Sequence, residues 1–222
     1  MSCGFSPNIV ELRFLTVPVA LGSAYNRPMN SDDWDKRYQE KKLVWSAGPN
    51  QFLASEVTGL APGRALDVAC GEGRNALWLA ELGWDVTAFD FSPVAIEKAR
   101  ARSAEVGANI DWRVADATTD INGTYDLILY LYLHLPREQM QASLALAKKA
   151  LAPGGTLLIV GHDIRNIKEG IGGPQDASIL FGPQDFEAML ADLQIEKAET
   201  VTREVRKDDQ VHHALDVLVR AH

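Results

Sequence analysis

The stretch Leu66-Asp-Val-Ala-Cys-Gly-Glu-Gly73 is an apolar run that ends in two glycines one residue apart. A strand that closes on Gly-x-Gly before a helix presents backbone N–H groups to a ligand, because a side chain there would hold the ligand away. The same glycines serve equally well in a tight strand-to-helix turn that binds nothing. A dinucleotide fingerprint asks for a third glycine three residues after Gly73, and position 76 is Ala, a variant the fingerprint accepts. Asp90 stands 17 residues beyond Gly73, where a doubly wound sheet places a carboxylate over ribose hydroxyls. Its other reading, a helix cap, is weakened by Ser92, which already supplies one. Asp116, in Val114-Ala-Asp116-Ala117, is placed to accept from an adenine amino group or to sit in a solvated turn.

A second group follows two later strands. Tyr130, Tyr132 and His134 come after one, and His162-Asp163 after the other. A tyrosine there shapes a pocket, and a histidine takes a substrate proton or, when charged, holds an anion. His134 and His162 are therefore the candidate catalytic residues. His212-His213 fall on a terminal strand and read as surface or packing residues. Cys70 reads as a packed turn residue rather than a nucleophile, no set has metal-ligand spacing, and no Ser, His, Asp triad is evident.

The elements that must position these groups follow from periodicity. Residues 64–69, 85–89, 110–114, 125–131 and 156–160 read as strands, and helices alternate with them. That alternation predicts an α/β fold, a doubly wound sheet covered on both faces. In the first helix after the glycines Ala76, Leu79 and Ala80 share a face. In the next, Ser92-Pro93 caps the start and Ile96, Ala99, Ser103 and Val106 form the stripe. In a third, Pro136 starts the helix and Met140, Leu144, Ala147 and Leu151 form it. Pro153-Gly154-Gly155 is predicted to turn the chain. Residues 161–182 are predicted to be a long polar, Gly-rich loop, with Ile171, Ile179, Leu180 and Phe181 closing over a ligand. A helix over 183–193 then leads to a terminal antiparallel hairpin, 195–205 and 211–221, joined at Lys207-Asp-Asp209.

With 222 residues, 46% hydrophobic and 23% charged, the chain is a globular protein with one main domain. Its 22 Lys and Arg against 30 Asp and Glu, a net charge of -8, argue against nucleic acid or an anionic membrane as partner and favour small molecules. Two cysteines fit a reducing compartment, so a cytoplasmic protein, monomer or homodimer, is expected. Residues 14–21 are apolar, but Glu11 and Arg13 precede them and Pro18 interrupts them, so they do not read as a signal peptide. Residues 1–28 are expected to be an extension before a domain spanning 29–222, because Ser31-Asp-Asp-Trp34 opens a capped helix.

Taken together, the glycine-rich motif, Asp90, Asp116, Tyr125-Asp126-Leu-Ile-Leu129 and Leu151-Ala-Pro-Gly-Gly155 resemble the class I S-adenosylmethionine-dependent methyltransferases over roughly residues 32–222. Ala69 departs from the glycine that many members carry. Cys70-Gly-Glu-Gly-Arg-Asn75, Trp34-Asp-Lys-Arg-Tyr38 and Pro49-Asn50 are similar to the tellurite-resistance and thiopurine methyltransferase branch. There an aromatic from the N-terminal helix covers the cofactor, which implicates Tyr38 or Trp45.

The resemblance implies a seven-stranded Rossmann-like sheet, mostly parallel with an antiparallel C-terminal strand. It implies S-adenosylmethionine as cofactor, bound by Tyr38, Asp67, Ala69, Gly71, Gly73, Arg74, Asn75, Asp90, Phe91, Asp116, Ala117 and Tyr130. The acceptor it implies is a small molecule such as a thiol, a chalcogen oxyanion or a small aromatic. A cofactor-binding module without methyl transfer and an NAD-dependent oxidoreductase are the rival readings.

Overall fold

The computed structural model describes residues 30–40, 43–44, 48–208 and 210–222. The expected extension 1–28 and the candidate lid residue Trp45 lie outside the described residues, as does Asp209 in the hairpin connection. In chain order the elements are α1 (Ser31–Glu40), α2 (Gln51–Val57), β1 (Arg64–Val68), α3 (Arg74–Glu81), β2 (Asp85–Asp90), α4 (Pro93–Val106) and β3 (Asp111–Val114). They continue with β4 (Tyr125–Leu131), α5 (Arg137–Ala150), β5 (Leu151–His162), α6 (Asn166–Glu169), α7 (Pro183–Met189), β6 (Ile195–Lys207) and β7 (Gln210–Ala221).

Seven strands form one sheet in the order β3-β2-β1-β4-β5-β7-β6. The four pairings from β3 to β5 are parallel, and β7 runs antiparallel to both β5 and β6. Chain order therefore reverses between β1 and β4, and the crevice at the carboxyl ends of these two strands is where an open α/β sheet receives a ligand. Strand β4, YDLILYL, is apolar almost throughout because helices cover both of its faces. Leu127 and Leu129 face the core layer under α2, α3 and α4, with Leu79, Ile96 and Trp112. Ile128 and Tyr130 face the layer under α5 and α7, with Met140, Leu144 and Phe186.

Several boundaries differ from the periodicity. Pro153-Gly154-Gly155 does not end a turn before β5. The strand already begins at Leu151, opposite Tyr125, and a register shift after Tyr125 absorbs the irregular residues. On α4 only Ile96, Ala99 and Ser103 of the expected stripe are buried. Val106 is 61% exposed at the last residue of the helix, just before Gly107 turns at φ +70°. Helix α7 stops at Met189 rather than 193. The loop after β5 contains α6 and a 3-10 turn over Ala177–Ile179. Its Ile179, Leu180 and Phe181 are buried, with Phe181 edge-on to Phe186 at 5.7 Å, so they belong to the core rather than to a lid. No described helix is long and apolar enough to cross a membrane.

Candidate active site

The glycine loop leaves β1 at the reversal point. Three alternate positions have left-handed backbone: Ala69 at φ +56°, Gly71 at +55° and Gly73 at +77°. At Gly73 an added Cβ would lie 2.2 Å from the Trp112 ring, so its bareness is required by packing. Gly71 donates its N–H to Asp90 Oδ2 at 2.9 Å, and Ser92 N–H donates to Asp90 Oδ1 at 2.9 Å. With a further backbone bond from Phe91, the Asp90 carboxylate uses most of its acceptor sites and keeps the remainder for a ligand. Burial raises its pKa to about 6 against the lowering effect of those bonds. Ser92 itself caps α4 by accepting from Ala95 N–H.

Asp67, one residue before the carboxyl end of β1, is buried, and its Oδ2 has no hydrogen-bond partner. Burial, against the attraction of Arg74 and with repulsion from Asp90, raises its pKa to about 7. A buried carboxylate oxygen left without a donor is costly in a native fold and points to a donor group that the protein itself does not supply. Arg74 opens α3 beside it. Its pKa is lowered by burial, and its charge interacts with Tyr132, Asp67, Arg203 and Tyr38.

Helix α1 lies over this end of the sheet. Ser31 Oγ donates to Phe91 O at 3.1 Å, and Asp35 bonds the Ser92 hydroxyl. Lys98 on α4 donates to the Tyr38 carbonyl and to Glu72 Oε1, while Glu72 Oε2 accepts from Val44 N–H at 2.8 Å. Tyr38 is buried with its ring stacked on Trp34 at 5.6 Å. Glu72, inside the glycine loop, ties the segment after α1 to the loop, a function its position between two glycines does not announce.

Five other expected residues sort by their surroundings. Asn75 Oδ1 accepts from Asn50 N–H at 2.8 Å, so its carbonyl joins α3 to the start of α2. Tyr130 is a correction: its hydroxyl contacts Ser143 Oγ at 2.8 Å and its ring lies in the α5 layer, so the side chain is core. Asp116 is exposed and accepts from Thr118 N–H and Oγ1 in a local turn, its carboxylate at the rim after β3. Phe91 and Ala117 are half-buried at the ends of β2 and β3. Cys70 is buried, its thiol pushed up by burial.

Next to Arg74, beyond β4 and β5, a second cluster forms. Tyr132 follows β4 at φ +62°, strained backbone for a side-chain-bearing residue, with its N–H donating to Val160 O at 2.7 Å. Its hydroxyl donates to Asp216 Oδ2 at 2.7 Å, and Arg203 Nε donates to the same oxygen at 2.7 Å. His162 Nδ1 lies 3.1 Å from Asp216 Oδ1. Burial alone would raise the pKa of Asp216, but the bonds from His162 and Arg203 hold it below the usual carboxylate range.

His134 stacks on His162 with ring centroids 5.4 Å apart and nearly parallel. It accepts from His162 N–H at Nε2, and its other nitrogen bonds the Tyr132 carbonyl. Both ring nitrogens are therefore occupied, and burial, then the charge of His162, lowers its pKa to about 3. With both nitrogens engaged, His134 packs against His162 as a neutral ring. Asp216 and Arg203 were missed by the sequence reading because they sit within the hairpin's alternating pattern. Among the described residues, no group of three or more His, Cys, Asp or Glu could hold a metal. A groove of about 450 Å³ beside Pro136, Ile164 and Phe181 lies outside both clusters.

Residues 65–155, from β1 into β5, match the family model described as Methyltransferase domain. Among curated proteins, the chain is 32% identical over 141 residues to 2-heptyl-1-hydroxyquinolin-4(1H)-one methyltransferase of Mycobacteroides abscessus, covering 60% of this chain and 62% of that protein. It is 34% identical over 131 residues to the ubiquinone biosynthesis O-methyltransferase of Xanthomonas euvesicatoria, covering 57% and 54%. The chain thus spans little more than half the length of these relatives. Among solved structures it superposes on TehB from Haemophilus influenzae with a TM-score of 0.67 at 22% identity, covering 86% of this chain and 66% of that one.

Proposed function

We propose that this chain, whose β1-to-β5 half matches a methyltransferase domain, transfers a methyl group from S-adenosylmethionine to a small-molecule acceptor. The observation that carries this reading is the pair of buried carboxylates at the reversal point, Asp67 with an unpartnered oxygen and Asp90 with free lone pairs beside a glycine loop. Asp90 would accept from the ribose hydroxyls, Asp67 from the amino-acid end, and Asp116 and Ala117 would border the adenine. The backbone of Ala69, Gly71 and Gly73 would line the approach, with Arg74 and Phe91 at its margins and Tyr38 above. When bound, the sulfonium supplies an activated methyl and its own leaving group. The protein's contribution is to hold the acceptor in line and keep water out, effects worth about 7–11 kcal/mol without any acid or base.

The motif Cys70-Gly-Glu-Gly-Arg-Asn75 and the TehB-like fold favour the tellurite-resistance and thiopurine branch. The two curated relatives are named for a hydroxyquinolone and for ubiquinone biosynthesis, which favours a small aromatic acceptor over a chalcogen oxyanion. The negative net charge supports a small-molecule partner over nucleic acid or an anionic membrane. Calorimetry with S-adenosylhomocysteine and with NADH, followed by turnover of labelled methyl over thiols, phenols and selenite, is the test. Binding of NADH in preference to S-adenosylhomocysteine would overturn the reading, and so would cofactor binding with no small acceptor methylated.

A further inference from the structure

We infer that His162, oriented by Asp216, is the general base of this site and that the acceptor is a weakly acidic hydroxyl on an aromatic ring, an inference that rests on the methyltransferase reading above. The geometry assigns the protons. His162 Nδ1 is buried and faces only the Asp216 carboxylate, at 3.1 Å. A lone pair there would face a negative charge, so Nδ1 carries the hydrogen and Nε2 is left as the acceptor. No described residue bonds to Nε2. Asp216 is fully buried and bound by Tyr132 and Arg203 on its other oxygen, so it cannot turn away.

The neighbouring loop packs on the His162 ring. Gly173 sits at φ +75°, and a Cβ there would lie 2.9 Å from Nε2 and 2.8 Å from Cδ2 of His162. Asn166 holds this loop in place, donating to Gly172 O at 2.9 Å and accepting from Leu215 N–H at 2.7 Å. Any side chain at position 173 would press on the imidazole ring, so a glycine there keeps the ring from being covered further. The charged and titratable groups around His162 are Asp216 on β7, Arg203 on β6, Tyr132 and His134 after β4, Asp163 beside it on β5, and Arg74 across the cleft. Asp163 is turned away, accepting from Arg165 N–H and Thr200.

An imidazole is better matched in basicity to a phenol-like hydroxyl than to an alkanol, so a phenol needs less assistance from the rest of the site. The rings of Tyr132, His134 and His162, 5.0–6.3 Å apart, form an aromatic wall that a flat acceptor can lie against. In the step, Nε2 of His162 takes the hydroxyl proton as the acceptor oxygen forms its bond to the methyl carbon. The carbon–sulfur bond breaks with its electron pair on sulfur, S-adenosylhomocysteine departs, and the imidazolium returns its proton to water.

The test compares 4-methylphenol, neutral at working pH, with 4-nitrothiophenol, already ionised. In the full chain His162→Gln is expected to lower kcat for the phenol by about 10²- to 10⁴-fold, to lower thiol turnover far less, and to leave S-adenosylhomocysteine affinity unchanged. Asp216→Asn, a change at a positioning residue, is expected to lower kcat by at least about ten-fold with KM held, and Asp216→Glu to restore part of it. Gly173→Ala, in the loop that packs on His162, is expected to cut phenol turnover with cofactor affinity intact, which keeps the test decisive if the Asp216 variants do not fold. Equal losses for phenol and thiol, an unchanged phenol rate in His162→Gln, or a wild type that methylates only thiols would overturn the proposal. A wild type that fails to bind S-adenosylhomocysteine would overturn the function on which it rests.

Discussion

Ala69 carries a methyl group at φ +56°, where an L side chain crowds its own carbonyl. Glycine relieves that strain but loses more entropy on folding, so the two effects partly cancel. Ala69→Gly is expected to stabilise the protein by about 0.5–1 kcal/mol, a rise in melting temperature of about 1–4 °C. A scanning calorimeter reads it directly, and a lower melting temperature would show that the methyl makes a contact worth more than the strain. Asp67 and Asp90 govern a second expectation. Their pKa values, about 7 and about 6, are raised by burial, so both are protonated in part at mildly acidic pH. A bound donor favours the ionised form, which makes binding release protons. S-Adenosylhomocysteine affinity is therefore expected to rise as pH increases through 6–7 and to level off above, with buffer-dependent calorimetric heats in that window. A flat profile would remove the two carboxylates from the site.

At this scale the sequence was informative where a residue type has few other uses. A Gly-x-Gly after an apolar run and an aspartate after the next strand marked the reversal point. Asp216 was not visible, because an aspartate in an alternating strand reads as an outward residue. Its inward orientation is set by Arg203 and His162, which lie on other strands. Nor could spacing distinguish the two histidines. What separates them is that one has both nitrogens bonded.

The elements around the sheet divide between roof and floor. Helix α1 stays in place through Lys98, whose ammonium bridges the Tyr38 carbonyl and the buried carboxylate of Glu72. Lys98→Met is expected to cost about 1.5–3 kcal/mol, the range for a charged group losing its hydrogen-bonded partner, and to speed release of S-adenosylhomocysteine. Urea denaturation and stopped-flow dissociation would show both, and an unchanged release rate would mean that α1 is not part of the cofactor cover. The loop after β5 shows the opposite division from the one its composition suggested. Phe181→Ala is expected to destabilise by about 3–5 kcal/mol, whereas Ile171→Ser, at a half-buried position, should cost under about 1 kcal/mol. Similar losses at the two positions would restore the single-lid picture. Periodicity misread this loop because isolated apolar residues among glycines give no period. Only the packing of Phe181 on Phe186 and of Arg137 over its ring reveals which of them are core.

Over the whole molecule, the parallel half was legible because buried parallel strands are apolar runs of characteristic length, and each sits between helices with clear caps. The hairpin was legible as a pair but not in its placement. Strand β7 follows β6 in the chain yet lies inside it, between β6 and β5. During vectorial synthesis β6 therefore leaves the ribosome with no strand to join. Leu157, Ile159 and Gly161 on β5 keep an unpaired edge until residues 216–221 have emerged and slotted between the two. The nascent chain can complete its cofactor cradle, built from β1, β2 and α3, while the acceptor side is still open and His162 still lacks its carboxylate. The capacity to methylate a neutral hydroxyl would thus come later in synthesis than the capacity to hold the cofactor.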